Sequence, residues 1–190
     1  MPRRTVSYIP NRFYHIYNRT VAPLFRDSHD VGFLITRMRE YAEKLEIAIA
    51  AYCLLPNHYH WLVRQDGEQP AGLLPQRVFN SYTKACNVRW GRAGTLFEGP
   101  YKAIHVDETG YLLHLCRYIH ANPVRHGVVT DLGQWAYSNY AEWVGMRHGT
   151  LWERTLRDAH FASAQAYDAF VQEYLRDRRH PAGAERYLIE

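Results

Sequence analysis

The amino-acid sequence predicts an α+β fold in which helices pack on one antiparallel sheet, and three observations predict it. Segments of two-residue hydrophobic period alternate with segments of helical period, in the order strand, helix, hairpin, helix, strand, helix. Two of the strand segments are separated only by Pro56-Asn57, a link short enough to mark a hairpin. The chain has 190 residues, 47% of them hydrophobic, which suffices for one good core and is short for two full domains.

Each element has a local reason. Residues 13–19, FYHIYNR, are aromatic and β-branched and read as a strand, followed by a loop through Pro23. Ser28 or Asp30 can cap a helix whose apolar stripe is Phe33, Leu34, Met38, Tyr41 and Leu45. Residues 47–55, IAIAAYCLL, read as a buried strand and residues 58–64 as its hairpin partner. The loop DGEQPAG precedes a helix over 73–90 with Leu74, Val78, Tyr82 and Ala85 on its apolar side, and GRAG is a turn. YKAIHV, residues 101–106, alternates as a further strand. Asp107 or Thr109 can cap the next helix, which is expected to stop near Ala121 because Pro123 disfavours helix at the residue before it. Beyond WAYSNYAEW, a helix over 163–179 carries Tyr167, Phe170, Val171 and Tyr174, and HPAGAERYLIE reads as a mobile tail.

Composition narrows the function. The net charge of +4 is mildly basic but uneven. Residues 1–26 hold Arg3, Arg4, Arg12, Arg19 and Arg26 and no acid, and residues 77–102 hold Arg77, Lys84, Arg89, Arg92 and Lys102 against Glu98 alone. Basic segments interleaved with Tyr, Trp and Phe suit a phosphate backbone with bases free to stack; a merely soluble surface is the alternative. Cys53, Cys86 and Cys116 form no CxxC, so neither a disulfide framework nor a cysteine zinc site is expected. No run approaches the roughly 20 apolar residues that span a bilayer, and MPRRTVSYIPNRF lacks the apolar stretch of a signal peptide. A cytoplasmic protein without a membrane partner is the expectation.

The chemistry centres on LLPNHYHWLV. In a strand, His58 and His60 share one face and Tyr59 and Trp61 the other. Two imidazoles at that spacing can hold one divalent cation with coordination positions left open, or can be satisfied by hydrogen bonds as ordinary buried histidines. In GYLLHLCRYIHANP the buried stripe is Leu112, Leu115, Cys116 and Ile119, while Tyr111, His114, Tyr118 and Asn122 form another. If that second stripe faces the histidines, a metal, an amide ligand and a phenol come together, a set suited to phosphodiester cleavage by a tyrosine nucleophile. Packing is the alternative role for Tyr118.

These motifs carry a resemblance. PNHYH followed by WLV, then RYIHANPVRHGVV, with FYHIYNRT, GTLFEGPYKAIHVD and YSNY in the same order, resembles the single-tyrosine HUH transposases and specifically their REP-associated branch. The resemblance implies a ferredoxin-like HUH-endonuclease domain over 1–144 and a C-terminal helical extension and tail over 145–190. It implies His58 and His60 on a central strand, Asn122 as third ligand of Mg²⁺ or Mn²⁺, and Tyr118 as nucleophile. In that chemistry the tyrosine attacks a single-stranded DNA phosphate, stays linked to its 5′ side and releases a 3′ hydroxyl. The implied partners are single-stranded, REP-like DNA hairpins with a tetranucleotide at the 5′ foot, bound by a nucleoid-associated bacterial protein, a monomer as in the REP-associated branch being expected over a dimer as in IS200-type relatives. Tyr59, Trp61, Pro100 and His126 depart from the usual pattern.

Candidates for DNA contact are Arg12, Arg19, Lys84, Arg89, Arg92, Lys102 and Arg125, each with ordinary solvation as the alternative. Tyr14, Tyr17, Tyr82 and Trp90 can stack on bases or pack in the core. The extension is expected to contribute to hairpin recognition. Three functions follow: a tyrosine-nucleophile endonuclease and strand transferase, a non-catalytic hairpin-binding regulatory module derived from a transposase, and a metal enzyme with a water nucleophile in which Tyr118 is structural.

Overall fold

The computed structural model of the protein describes residues 6–177. The elements are β1 (Arg12–Arg19), α1 (Ser28–Lys44), β2 (Ile47–Leu54), β3 (His58–Gln65), α2 (Leu73–Trp90), β4 (Lys102–Val106) and α3 (Thr109–Arg125). A 3-10 turn (Leu132–Gln134) and helices α4 (Tyr140–Trp143), α5 (Thr155–His160) and α6 (Ala164–Asp177) follow. The strands form one sheet in the order β2-β3-β1-β4, with every neighbouring pair antiparallel. The sequence β1-α1-β2-β3-α2-β4 in that order is the split βαβ of the ferredoxin-like fold, so the predicted α+β class is the one observed.

The two-residue period of the strands divides the molecule into layers. Tyr14 and Ile16 of β1 and Tyr59, Trp61 and Val63 of β3 meet Leu34 and Met38 of α1 and Val78, Phe79 and Tyr82 of α2 in one core. Leu62, Ala51 and Cys53 lie on the opposite face and meet Leu112, Leu115, Cys116 and Ile119 of α3, the stripe expected from its sequence. Tyr167, Val171 and Tyr174 of α6 join this second core, so residues from the 145–190 region share buried contacts with α3. The last two positions of the helix predicted over 163–179, and the tail after it, lie outside the described residues.

Helix ends depart from expectation in three places, the simplest being the start of α3, where Glu108 and neither Asp107 nor Thr109 holds the cap position and no side chain caps the helix. The cap of α1 is Asp27, not Ser28 or Asp30: its carboxylate accepts the Asp30 N–H at 3.1 Å, and the Asp30 carboxylate accepts the Arg26 N–H at 2.8 Å. Capping needs an acceptor three residues before an orphan N–H, and only Asp27 stands that far from Asp30. The third departure is the other end of α3, which runs through Pro123 to Arg125 and not to a stop near Ala121. Proline removes one backbone N–H, but Ile119, Ala121, Asn122 and Pro123 are buried there, and that burial favours continuing the helix. At the far end of α2, Gly91 takes the left-handed conformation (φ 62°) that closes a helix most cheaply at glycine.

The outer edge of β2 is covered. Leu54 donates its N–H to Tyr137 O at 2.9 Å and Asn139 donates its own to Tyr52 O at 3.3 Å, so the YSNY segment lies along the edge as a short extra strand. A bulge leaves Ala50 unpaired in β2. Its carbonyl accepts from Asn139 Nδ2 and Trp143 Nε1, both at 2.9 Å. Among the described residues no helix is long and apolar enough to cross a membrane.

Candidate metal and nucleic-acid site

His58 opens β3 opposite Arg19 of β1, and His60 sits opposite Tyr17. Both histidines are buried on the α3 side, with ring centres 5.2 Å apart and planes at 88°. Each imidazole uses Nδ1 for a neighbour: His58 meets Asn57 Oδ1 at 2.7 Å, and His60 meets His15 Nε2 at 2.9 Å. These contacts fix the rings from behind and make Nε2 the nitrogen of each that could serve as a ligand, the His58 ring also meeting the Asn122 amide. Burial, joined by the charges of His126 and Arg19, pushes the His58 pKa down to about 4. Burial and the neighbouring His15 drive His60 well below its ordinary value. Neutral imidazole is the form that binds a metal.

Asn122 approaches from α3. Its Nδ2 donates to Tyr118 O at 2.7 Å, and its buried side-chain oxygen faces the His58 ring, whose protonated form it favours as an acceptor. A cation at this position would replace the ring N–H as partner of that oxygen. Two imidazoles held neutral and a buried amide oxygen are donor types that can hold a divalent ion.

Tyr118 lies edge-on to His60, with ring centres 5.6 Å apart and planes at 83°. The Arg125 guanidinium stands 5.0 Å from the centre of the Tyr118 ring. Tyr118 is only 1% exposed. Tyr17 lies close by, and burial together with Tyr118 pushes its phenol up to about 12. In front of the histidines is a cavity of about 300 Å³, lined by Tyr17, Asn18, Arg19, His58, His60 and Lys102 and by the loop at Glu98, Gly99 and Pro100.

The structure thus gathers Arg19 and Lys102 with His58 and His60 around the cavity, and Asn122, Tyr118 and Arg125 of α3 behind the histidines, where they are not part of the cavity lining. Arg12 lies at the other end of β1, opposite Gln65. Lys84 and Arg89 lie on α2, on the opposite face of the sheet. Arg89 is paired with Asp27 at 2.6 Å and with Asp30, so its charge is already neutralised. Its hydrogen bonds hold the Asp27 carboxyl down to about 2. Arg92 donates to Thr95 O at 2.8 Å. Of the possible base-stacking rings, Tyr14 and Tyr82 are core residues, Trp90 carries Arg26 over its face at 4.7 Å, and Tyr17 lines the cavity.

The sequence reading gave two residues of the site no role there, His15 and His126, the second noted only as a departure from the family pattern. His15 backs His60, and its only signal was the two-residue spacing from Tyr17, because register between β1 and β3 is not a local property. His126, at the end of α3, places its ring 4.9 Å from that of His58. A separate trio, Asp27, His29 and Asp30, is the one group of three histidine, cysteine or carboxylate side chains close enough for an ion among the described residues, but Arg89 already occupies both carboxylates.

Comparison with known proteins now has a geometry to meet. No family model matches the sequence, and no curated protein matches it significantly. A solved REP-associated tyrosine transposase, bound to a REP hairpin, superposes with a TM-score of 0.66 at 18% identity, over 81% of this chain and 98% of that one. The chain shares that fold. A candidate transposase of Deinococcus radiodurans R1 gives a TM-score of 0.37 at 19% identity, over 60% of this chain and 92% of the other. A Saccharomyces cerevisiae tRNA(His) guanylyltransferase gives 0.43 at 7% identity, over 97% and 80%. Likeness at those two scores carries no weight.

Proposed function

We propose that the chain is a metal-dependent, single-stranded DNA endonuclease and strand transferase of the REP-associated tyrosine transposase type, acting on REP-like hairpins. The observation that carries this reading is the meeting of the buried His58 and His60 rings with α3, where the Asn122 amide faces His58 and the Tyr118 ring lies edge-on to His60. His58, His60 and Asn122 would hold Mg²⁺ or Mn²⁺, which supplies polarisation of the scissile phosphate when bound. Arg19 and Lys102 draw the backbone into the cavity. His15 and Asn57 keep both imidazole rings turned toward the phosphate. Tyr118 gives up its phenolic proton and its Oη forms a bond to phosphorus; the bond to the 3′ oxygen breaks, that oxygen takes a proton, and the 5′ phosphate remains on Tyr118. Strand transfer is the reverse step with a different 3′ hydroxyl.

The near-complete burial of Tyr118 favours a second reading, a hairpin-binding module that does not cut. A denaturing gel with labelled hairpin oligonucleotides and Mn²⁺ separates the two. The enzyme gives a metal-dependent, protease-sensitive adduct that Tyr118→Phe abolishes. Binding without cleavage, with the matching hairpin, supports the module, and cleavage that survives Tyr118→Phe makes water the nucleophile.

A further inference from the structure

The C-terminal helix α6 does more at α3 than bury apolar surface. The Arg125 guanidinium that stands 5.0 Å from the Tyr118 ring also stands 5.6 Å from the ring of Tyr174. Two turns earlier, Arg117 lies 5.1 Å from Tyr174 and 4.1 Å from Phe170, and its Nε donates to His114 Nδ1 at 3.0 Å. His114 in turn meets Tyr174 edge-on at 5.2 Å. One buried ring of α6 therefore touches His114, Arg117 and Arg125, residues that bracket Tyr118 along α3.

We propose that Tyr174 is a positioning residue for Tyr118, acting through Arg125 to fix the plane of the phenol ring against His60. The inference rests on Tyr118 as nucleophile. Arg125 has a long, rotamer-rich side chain and lies in the turn after Pro123, where the helix has lost a backbone donor. Held against two aromatic faces, the guanidinium has little freedom left. Without Tyr174 the guanidinium loses one of its two aromatic faces and gains rotamer freedom against the Tyr118 ring. Misplacement of a reacting group by about an ångström can cost a hundredfold in rate.

The test uses the full-length chain, a labelled hairpin oligonucleotide and Mn²⁺, with Tyr174→Leu, which keeps apolar volume but removes the π face, and Tyr174→Phe, which keeps the face. Tyr174→Leu is expected to slow single-turnover adduct formation at least about tenfold while hairpin affinity stays within about twofold, and Tyr174→Phe to stay near wild type in both. Wild-type rates in Tyr174→Leu, equal losses in the two variants, or a parallel loss of affinity would each overturn the proposal. A second readout needs no cleavage: 3-fluorotyrosine at position 118 should give one sharp fluorine resonance in the wild type and in Tyr174→Phe, and a shifted or broadened one in Tyr174→Leu. An unchanged resonance in Tyr174→Leu overturns the positioning role even where no variant forms an adduct, an outcome that would instead remove the endonuclease reading.

Discussion

The two faces of the sheet are built from different materials although the same strands supply both. Toward α1 and α2, β3 presents Tyr59, Trp61 and Val63, with the Trp61 ring stacked on Phe79 at 5.1 Å and 14°. Toward α3, the alternate residues of β1 and β3 present His15, Tyr17, His58 and His60, and α3 adds Tyr118, His120 and Asn122. The first face is mostly apolar, and its polar atoms are few: the half-buried His105 ring lies 5.5 Å from that of Tyr14, and the Trp61 Nε1 is buried beside Phe79. The second buries groups that water would keep, and each must find a partner or go without. The comparison teaches that the apolar layer supplies the stability on which the polar layer draws.

Acid should separate the faces most strongly. Burial pushes His58 and His120 down to about 4, from an ordinary value near 6.5 that the unfolded chain regains. Between those limits the unfolded chain binds protons that the fold refuses. Stability is therefore present above about pH 6.5 and lost as pH falls toward 4, by an amount of the order of 3 kcal/mol for each of the two groups. Denaturant midpoints taken from pH 7 to pH 4.5 should fall steadily; a flat profile would mean that these imidazoles are not held neutral.

The apolar face is broken by Trp61→Ala, expected to cost about 3–5 kcal/mol in urea unfolding because Phe79 and Tyr59 cannot collapse into the space. Asn139→Ala should cost about 2–3 kcal/mol. Its Oδ1 accepts the Tyr52 N–H at 2.7 Å and meets His120 Nε2 at 2.9 Å, so truncation strands buried groups on two elements. Equal urea midpoints for that variant and the wild type would show that water replaces the amide. The smallest effect sharpens the comparison of cations. Arg19→Ala and Lys102→Ala should each weaken hairpin binding and lower the slope of log affinity against log salt by roughly one, whereas Arg89→Ala, neutralised by Asp27 and Asp30, should leave the slope unchanged.

Much of this layout was legible because it rests on period. The alternation in HYHWLV placed both histidines on one face, and the spacing of Leu112, Leu115, Cys116 and Ile119 gave the buried side of α3, leaving Tyr118 and Asn122 on the adjoining stripe. What was not legible depends on contacts across the chain. Pro123 read as a stop because propensity is local, while the burial that carries α3 past it comes from the sheet and α6. The roles of His15 and His126 follow from register and from where α3 ends. Helix α4 has four residues and α5 six, too short for a helical period to show. Of the cations named from charge clustering, Arg89 could not be distinguished from Arg19, since clustering says nothing about which acids fold back upon it.

The bulge at Ala50 has a consequence for how the molecule tolerates change over generations. The acceptor that Asn139 and Trp143 share is a main-chain carbonyl, and every amino acid that could replace Ala50 carries the same one. The tether between the sheet and the segment that follows the tyrosine helix is therefore written in backbone geometry on one side and in side-chain identity on the other. Drift can erase it by altering Asn139 and Trp143, or by adding or deleting a residue in β2, whereas a substitution at the buried Ala50 keeps the carbonyl and acts only through packing. Insertions and deletions in that strand should accordingly be purged more strictly than substitutions at its bulge.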